Sequence, residues 1–370
     1  MAERTTKTDL RFMRIALGLA RRGLGRSWPN PTVGCVIVKD GVVVGRGWTQ
    51  PGGRPHAETE ALGRAGAAAR GATAYVTLEP CAHHGKTPPC VEALIAAQVG
   101  RVVVALGDPD PRVDGKGIAR LKSAGIAVEL GVGEAEAADL NRGFMLRVAE
   151  NRPLVTLKLA TTLDGRIATQ HGESQWITAE TARNFAHALR ANHDAVMVGS
   201  GTAVADNPEL TCRLPGMIAW SPVRVVLDGR LRLPLTHKLV SGAGNVRTIL
   251  LTTHGNPHGR LRAYKDCGVE IIEIGRDENG NADLREGLAK LAAHGLTRVL
   301  VEGGATLAAS FMSLDLIDAI VWFRAPTVIG GDGIPAIAGF GVEALSDSKR
   351  FVKVDTRPAG ADMMETYLRA

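Results

Sequence analysis

The sequence predicts an α/β protein of two domains, and three observations carry that reading. The chain has 370 residues, more than one hydrophobic core usually encloses and about what two ordinary domains need. Short β-branched apolar runs alternate along it with amphipathic helical stretches, the pattern of sheets covered by helices. Between Arg147 and Pro153 the chain turns polar and ends in proline, which suits a boundary.

In the first half, Leu10, Met13, Leu17 and Ala20 recur at helical spacing, and the Gly23/Gly25 pair ends that helix. A hairpin follows, Val33–Val38 and Val42–Trp48 around Lys39-Asp40-Gly41. Helices are then expected over His56–Ala69, Val91–Ala97 and Gly117–Ala124. Strands are expected over Ala74–Leu78, Arg101–Leu106 and Ile126–Leu130, giving a three-layer domain. The second half repeats the alternation. Its strands are Leu154–Ala160, Ala195–Val198, Val223–Leu227, Val246–Thr252, Val269–Ile274, Arg298–Val301 and Ile317–Phe323. Its helices lie near Ala179–Ala191, Leu284–Ala293 and Thr306–Met312, and one last strand is expected after Phe351.

Composition excludes several classes. With 45% hydrophobic and 22% charged residues the chain is neither disordered nor a disulfide scaffold. No apolar run reaches the roughly 18–20 residues that span a bilayer, and the first residues lack a signal peptide's apolar stretch, so the expected location is cytoplasmic. The net charge is +6, with residues 1–150 holding 20 Lys/Arg against 15 Asp/Glu. That small, dispersed excess, with few aromatics for base stacking, reads as a solvated surface or a site for an anionic small substrate ahead of a nucleic-acid face.

The strongest chemistry is His56-Ala57-Glu58 at a helix start, followed by Pro80-Cys81 and Cys90. One imidazole and two thiolates are three zinc ligands, and three leave the fourth tetrahedral position open, as catalytic zinc requires. Zinc lowers the pKa of water to about 7, and Glu58, two residues past the ligand, is placed to shuttle protons. His-x-Glu followed by Pro-Cys and a second cysteine is the signature of zinc deaminases. Here eight residues separate the cysteines where nucleoside and tRNA deaminases have two, bringing His83, His84 and Lys86 beside the metal. These groups suit a phosphate, and either histidine could be an alternative ligand. Cys35, Cys212 and Cys267 read as small buried hydrophobes.

Asn30-Pro31-Thr32-Val33-Gly34, His56-Ala57-Glu58, Thr77 through Cys90 and Asp108-Pro109 resemble the deaminase half of the bifunctional riboflavin-biosynthesis deaminase-reductases. The resemblance implies a cytidine-deaminase-like domain over residues 1–148. It also implies that Asn30 helps hold the substrate, with Lys86 near its phosphate; Asn30 is equally a turn residue before proline.

The second half has no usable dinucleotide fingerprint, since Gly339-Phe340-Gly341 opens no βαβ unit, and no P-loop lysine. It does have Val299–Val301, then Glu302-Gly303-Gly304, then a helix start. This is either a phosphate cradle or a tight strand-to-helix turn. The stretches Leu157–Ala168, Gly172–Thr178 and Val198–Pro208, with Leu210, Thr211 and Arg213, resemble the reductase half of the same family. That implies a dihydrofolate-reductase-like domain over 153–370 using NADPH. By position the family implies NADPH contacts at Ala160, Trp176, Thr202, Asp206 and a loop of Gly304, Ala305, Thr306, Leu307, Ala308, Ala309 and Ser310. It implies substrate contacts at Ser174, Arg190, Leu210, Arg213 and Glu302, with Lys158 and Asp206 nearest hydride transfer. Trp176 also reads as core and Arg190 as a solvated helix residue. Thr162 stands where the family has serine, and its hydroxyl survives.

The expected enzyme is therefore a zinc- and NADPH-dependent deaminase-reductase of phosphorylated pyrimidines, a homo-oligomer without membrane or nucleic-acid partners. Two rivals remain: a zinc deaminase of another nucleotide or a polynucleotide, and a protein whose zinc only holds the fold, which would need a fourth protein ligand.

Overall fold

A computed structural model describes residues 6–84 and 88–370. The chain divides into two compact units, Met1–Asn151 and Arg152–Ala370.

In the first unit the elements run α1 (Lys7–Ala20), β1 (Gly34–Lys39), β2 (Val42–Trp48), α2 (Ala57–Ala65), β3 (Thr73–Val76), α3 (Cys90–Ala96), β4 (Arg101–Val104), α4 (Lys116–Ser123), β5 (Ala127–Leu130) and α5 (Glu134–Glu150). The five strands form one sheet in the order β2-β1-β3-β4-β5. The β1–β2 hairpin pairs antiparallel to β3, and β3, β4 and β5 are parallel. Alternation along the strands splits the core in two. Cys35, Ile37, Ala74, Val76, Val102 and Val104 face α2 and α3, whereas Val36, Val38, Tyr75 and Val103 face α1 and α5. This is the expected three-layer arrangement.

α5 escapes the sequence reading. Its buried stripe is Ala137, Leu140, Asn141 and Phe144, and the polar member interrupts the apolar period. Asn141 is buried because its amide clasps the Thr32 backbone, accepting from Thr32 N at 2.9 Å and donating to Thr32 O at 3.1 Å. The polar stretch expected as a linker begins inside the last turn of α5, so the break falls after Asn151.

The second unit holds β6 (Leu154–Thr161), β7 (Arg166–Ala168), α6 (Glu180–Ala191), β8 (Ala195–Gly199), α7 (Ser200–Asp206), β9 (Val223–Leu227), α8 (Lys238–Ser241), β10 (Thr248–Thr253), α9 (His258–Asp266), β11 (Glu270–Ile274), α10 (Leu284–Ala293), β12 (Arg298–Val301), α11 (Ala305–Ser313), β13 (Ala319–Arg324), β14 (Ile334–Pro335), β15 (Phe351–Ala359) and β16 (Asp362–Arg369). Nine strands make a sheet in the order β11-β10-β9-β8-β12-β6-β13-β16-β15. The first seven are parallel, and the C-terminal hairpin adds antiparallel at one edge. Where one closing strand was expected, two are present. The buried strands read as continuous apolar runs, as parallel strands covered on both faces do. Gly339–Ala344 lies in irregular chain.

The fold places chemistry at strand ends. β12 inserts between β6 and β8, so the carboxyl ends of β6, β8 and β12 lie side by side. In open α/β sheets ligands bind at such ends.

Candidate active sites

In the first unit, α2 lies close on the hairpin because β2 carries glycine at the crossing. A Cβ on Gly47 would come within 2.1 Å of the Ala57 carbonyl oxygen. His56 is the N-cap residue of α2, and Glu58 lies in its first turn, 3% exposed. Cys90 opens α3, and Cys81 follows β3. Glu79 steadies that segment: its buried carboxylate accepts from the backbone N–H groups of Gly115 and Ile118, each at 3.1 Å.

The His56 ring nitrogen and the Cys81 and Cys90 sulfurs lie within 4.8 Å of one another. His56 Nδ1 stands 3.3 Å from Cys90 Sγ and 3.7 Å from Cys81 Sγ. Zinc–nitrogen and zinc–sulfur bonds of about 2.0 and 2.3 Å at tetrahedral angles put such atoms about 3.6 Å apart, so the residues fit zinc. Among the described residues no fourth His, Cys, Asp or Glu joins the group. His83 and His84 do not serve as the alternative ligand, and the closed site of a fold-holding zinc is absent among the described residues. Asn30 is brought to the same place. Its Nδ2 donates to Gly53 O at 2.9 Å and lies 3.4 Å from His56 Nε2. Lys86 lies outside the described residues.

The electrostatics suit a metal and a proton carrier. The Cys81 thiol is drawn down to about 4, chiefly by the Cys90 thiol and also by His56 and the Cys90 N–H. That N–H donates to Cys81 Sγ at 3.3 Å. Burial, then the negative Cys81, raises the Glu58 carboxyl to about 7. A carboxyl poised there exchanges protons at neutral pH.

In the second unit ten of the expected residues meet in one cleft of about 580 Å³, and none of Gly304 to Ser310 is among those that line it. Lys158, Ala160, Ser174, Trp176, Thr202, Asp206, Leu210, Arg190, Arg213 and Glu302 all line it. Lys158 and Ala160 come from β6, Thr202 and Asp206 from α7, Arg190 from α6, and Glu302 follows β12. Arg190 and Glu302 form a largely buried bidentate pair, Nε to Oε1 at 2.6 Å and Nη2 to Oε2 at 2.8 Å. The Arg190 Nη1–H donates to Thr211 O at 3.0 Å, so Arg190 is no solvated helix residue. Trp176 is 66% exposed and is not core. Burial lowers the Lys158 ammonium and raises the Asp206 carboxyl, and Glu302 opposes the first shift.

Gly304–Ser310 is not the loop expected. Only Gly304 precedes α11, and Leu307, Ala308 and Ala309 are buried in it, while the Ser310 hydroxyl donates to Thr306 O. Gly303 and Gly304 have φ of 142° and 80°, backbone that favours glycine. A Cβ on Gly304 would lie 3.0 Å from Thr202 Oγ1. The turn thus runs against the cleft wall, and no side chain caps α11. A cofactor phosphate fits such open N–H groups. Thr162 keeps the serine's work: its hydroxyl donates to Asp164 Oδ1 at 2.6 Å and accepts from Arg166 N at 2.9 Å.

The cleft also holds residues that sequence reasoning passed over, among them Arg183, Asn207 and Lys238. His187 lines an adjoining cavity. Counting back along α6 from Arg190, His187 and Arg183 lie three and seven residues away on one helical face; that spacing was the available signal.

Comparison with known proteins agrees with both halves. Residues 6–106 match the cytidine and deoxycytidylate deaminase zinc-binding region, and residues 153–363 match the RibD C-terminal domain. The chain is 40% identical to the riboflavin biosynthesis protein RibD of Aquifex aeolicus over 98% of each chain. It also superposes on RibD of Acinetobacter baumannii with a TM-score of 0.89, at 41% identity over 98% of this chain and 99% of that one. A Thermotoga maritima protein described as a diaminohydroxyphosphoribosylaminopyrimidine deaminase and 5-amino-6-(5-phosphoribosylamino)uracil reductase gives a TM-score of 0.85, at 35% identity over 98% of this chain and 99% of that one. The chain belongs to the RibD family, the riboflavin-biosynthesis proteins that join a zinc deaminase region to a reductase domain.

Proposed function

We propose that the chain hydrolytically deaminates 2,5-diamino-6-ribosylamino-4(3H)-pyrimidinone 5′-phosphate and then reduces the ribosyl group of the product to a ribityl chain. Residues 1–148 carry the first step and 153–370 the second. The observation that supports this most is the convergence of His56, Cys81 and Cys90 on one point with buried Glu58 beside it, in a chain that also carries a cationic cleft.

Zinc, held by His56, Cys81 and Cys90, would acidify a water so that it can attack as hydroxide near neutral pH. Glu58 does the proton work. Its carboxylate takes a proton from the attacking water and passes it to the departing amine nitrogen, so the carbon–nitrogen bond is exchanged for carbon–oxygen and ammonia leaves. A carboxyl near pH 7 suits both directions of transfer. Asn30 offers its amide to the pyrimidine, and Lys86 takes the phosphate.

NADPH, when bound, supplies the hydride. Trp176, Ala160, Thr202 and the Gly303–Gly304 turn hold the cofactor. Ser174, Leu210, Arg213 and the Arg190–Glu302 pair hold the substrate, and Lys158 and Asp206 flank the reacting carbon. The reading includes a cytoplasmic homo-oligomer, supported by five free cysteines of the kind a reducing compartment keeps and by the exposed edge strand β15.

The test is incubation with the diaminopyrimidinone phosphate, with and without NADPH, following ammonia and nicotinamide absorbance. Ammonia is expected in both arms and NADPH oxidation only after it. NADPH consumption without ammonia would reverse the proposed order, and neither signal would refute the function.

A further inference from the structure

The cleft of the second unit has five cations and three carboxylates on its wall, an excess of two positive charges, which is the charge of a phosphate monoester reversed. Most of the cations are spent on protein carboxylates. Arg190 is committed to Glu302, and Arg213 and Lys238 share Glu209 at 3.5 and 3.6 Å. Lys158 lies under the influence of the same Glu302. Arg183 differs. Among the described residues it has no carboxylate partner, and its guanidinium makes one hydrogen bond, from Nη1 to Thr178 O at 2.8 Å.

Arg183 is nevertheless held in place. Its guanidinium carbon lies 4.6 Å from the centre of the Trp176 ring, a cation–π contact that holds the group against the indole. The Thr178 carbonyl holds its Nη1 end. Nε and Nη2, the edge that forms a two-toothed grip on an oxyanion, make no hydrogen bond to protein among the described residues. Arg183 also lines the adjoining cavity with His187 and Arg213.

We infer that Arg183 is a substrate-binding residue of the reductase cleft, gripping the phosphate monoester of the sugar-phosphate substrate through its free Nε–Nη2 edge while Trp176 and Thr178 hold it in place. The inference rests on the reductase reading of this cleft. It assigns a recognition element to the substrate's phosphate and no part in hydride transfer.

The experiment titrates ribose 5-phosphate calorimetrically into the full-length zinc-loaded chain saturated with NADPH, for wild type, Arg183→Met and Arg183→Lys. Methionine keeps the packing of the stem, and lysine keeps charge without the fork. Loss of a charge-assisted grip weakens binding about tenfold to a hundredfold for Arg183→Met, with Arg183→Lys between it and wild type. NADPH affinity, from quenching of protein fluorescence, shifts far less. An Arg183→Met titration that superimposes on wild type overturns the inference. A parallel loss of NADPH affinity by the same factor overturns it too, by placing Arg183 on a cofactor phosphate. Failure of the reductase reading is seen separately, as wild-type protein that does not oxidise NADPH with the deaminated pyrimidine.

Discussion

Replacing Glu302 by glutamine keeps the shape of the side chain and removes its charge from a site that was built around it. The carboxylate side chain is 6% exposed and its Arg190 partner 13%. Arg190 would keep its bond to Thr211 O but face Lys158 without a counter-charge. Breaking a buried pair from one side costs about 3–5 kcal/mol, and the cleft's access to water places this case near the lower figure. For a unit the size of Arg152–Ala370, each kcal/mol moves the melting temperature by about 2–4 °C, so a fall of about 6–12 °C is expected. Scanning calorimetry reads it, and the reductase transition is the one that NADPH raises. A second variant decides the cause. Arg190→Met with Glu302→Leu removes both charges and should recover much of the loss, because buried pairs replaced by apolar groups are often neutral. Ammonia release by the other unit should persist in both proteins. A single variant that melts within about 1 °C of wild type, or a double variant that simply sums two losses, would refute the account of the pair.

Three further outcomes follow from the geometry. Glu58→Gln should retain zinc and NADPH oxidation on supplied deaminated substrate but lose ammonia release by about 10²–10⁴-fold; metal analysis beside the ammonia assay checks it. Gly47→Ala forces a Cβ toward the Ala57 carbonyl and so displaces α2. It should cost about 1–3 kcal/mol and lower zinc occupancy, measured by denaturant unfolding and metal content. Burial drives the His193 imidazole down to about 4, and its ring bonds Leu189 O and Thr156 Oγ1. A folded value below the unfolded value of about 6.5 means stability is complete above pH 6.5 and falls between 6.5 and 4 by up to about 3 kcal/mol. In His193→Gln that slope should flatten by one proton, read from melting temperature against pH.

The sequence was informative where chemistry is local. His56-Ala57-Glu58 sits on one helix turn, and the Glu79-Pro80-Cys81 to Cys90 stretch closes on it through a single strand, so spacing alone constrained that centre. The β1–β2 turn was legible because Asp40 and Gly41 both take left-handed backbone. The cleft was harder to read. Ser174, Trp176, Leu210 and Arg213 lie on loops whose paths depend on long-range packing, so their convergence came through resemblance and not periodicity. Helices with little apolar signal were missed for the same kind of reason. α9 buries only Leu261 and Tyr264, and α7 is made of small and polar residues. At the C-terminus β15 and β16 show mostly half-exposed or exposed positions, because an edge hairpin has little to bury against, and two strands read as one.

The most direct measurement is zinc K-edge absorption on the purified chain, paired with metal content for wild type and Cys90→Ser. One zinc per chain is predicted, bound by two sulfurs at about 2.3 Å, one imidazole and one light atom from solvent, with occupancy lost on the serine substitution. A shell of four protein ligands, or full zinc content in Cys90→Ser, would contradict the hydrolytic centre on which the first reaction depends.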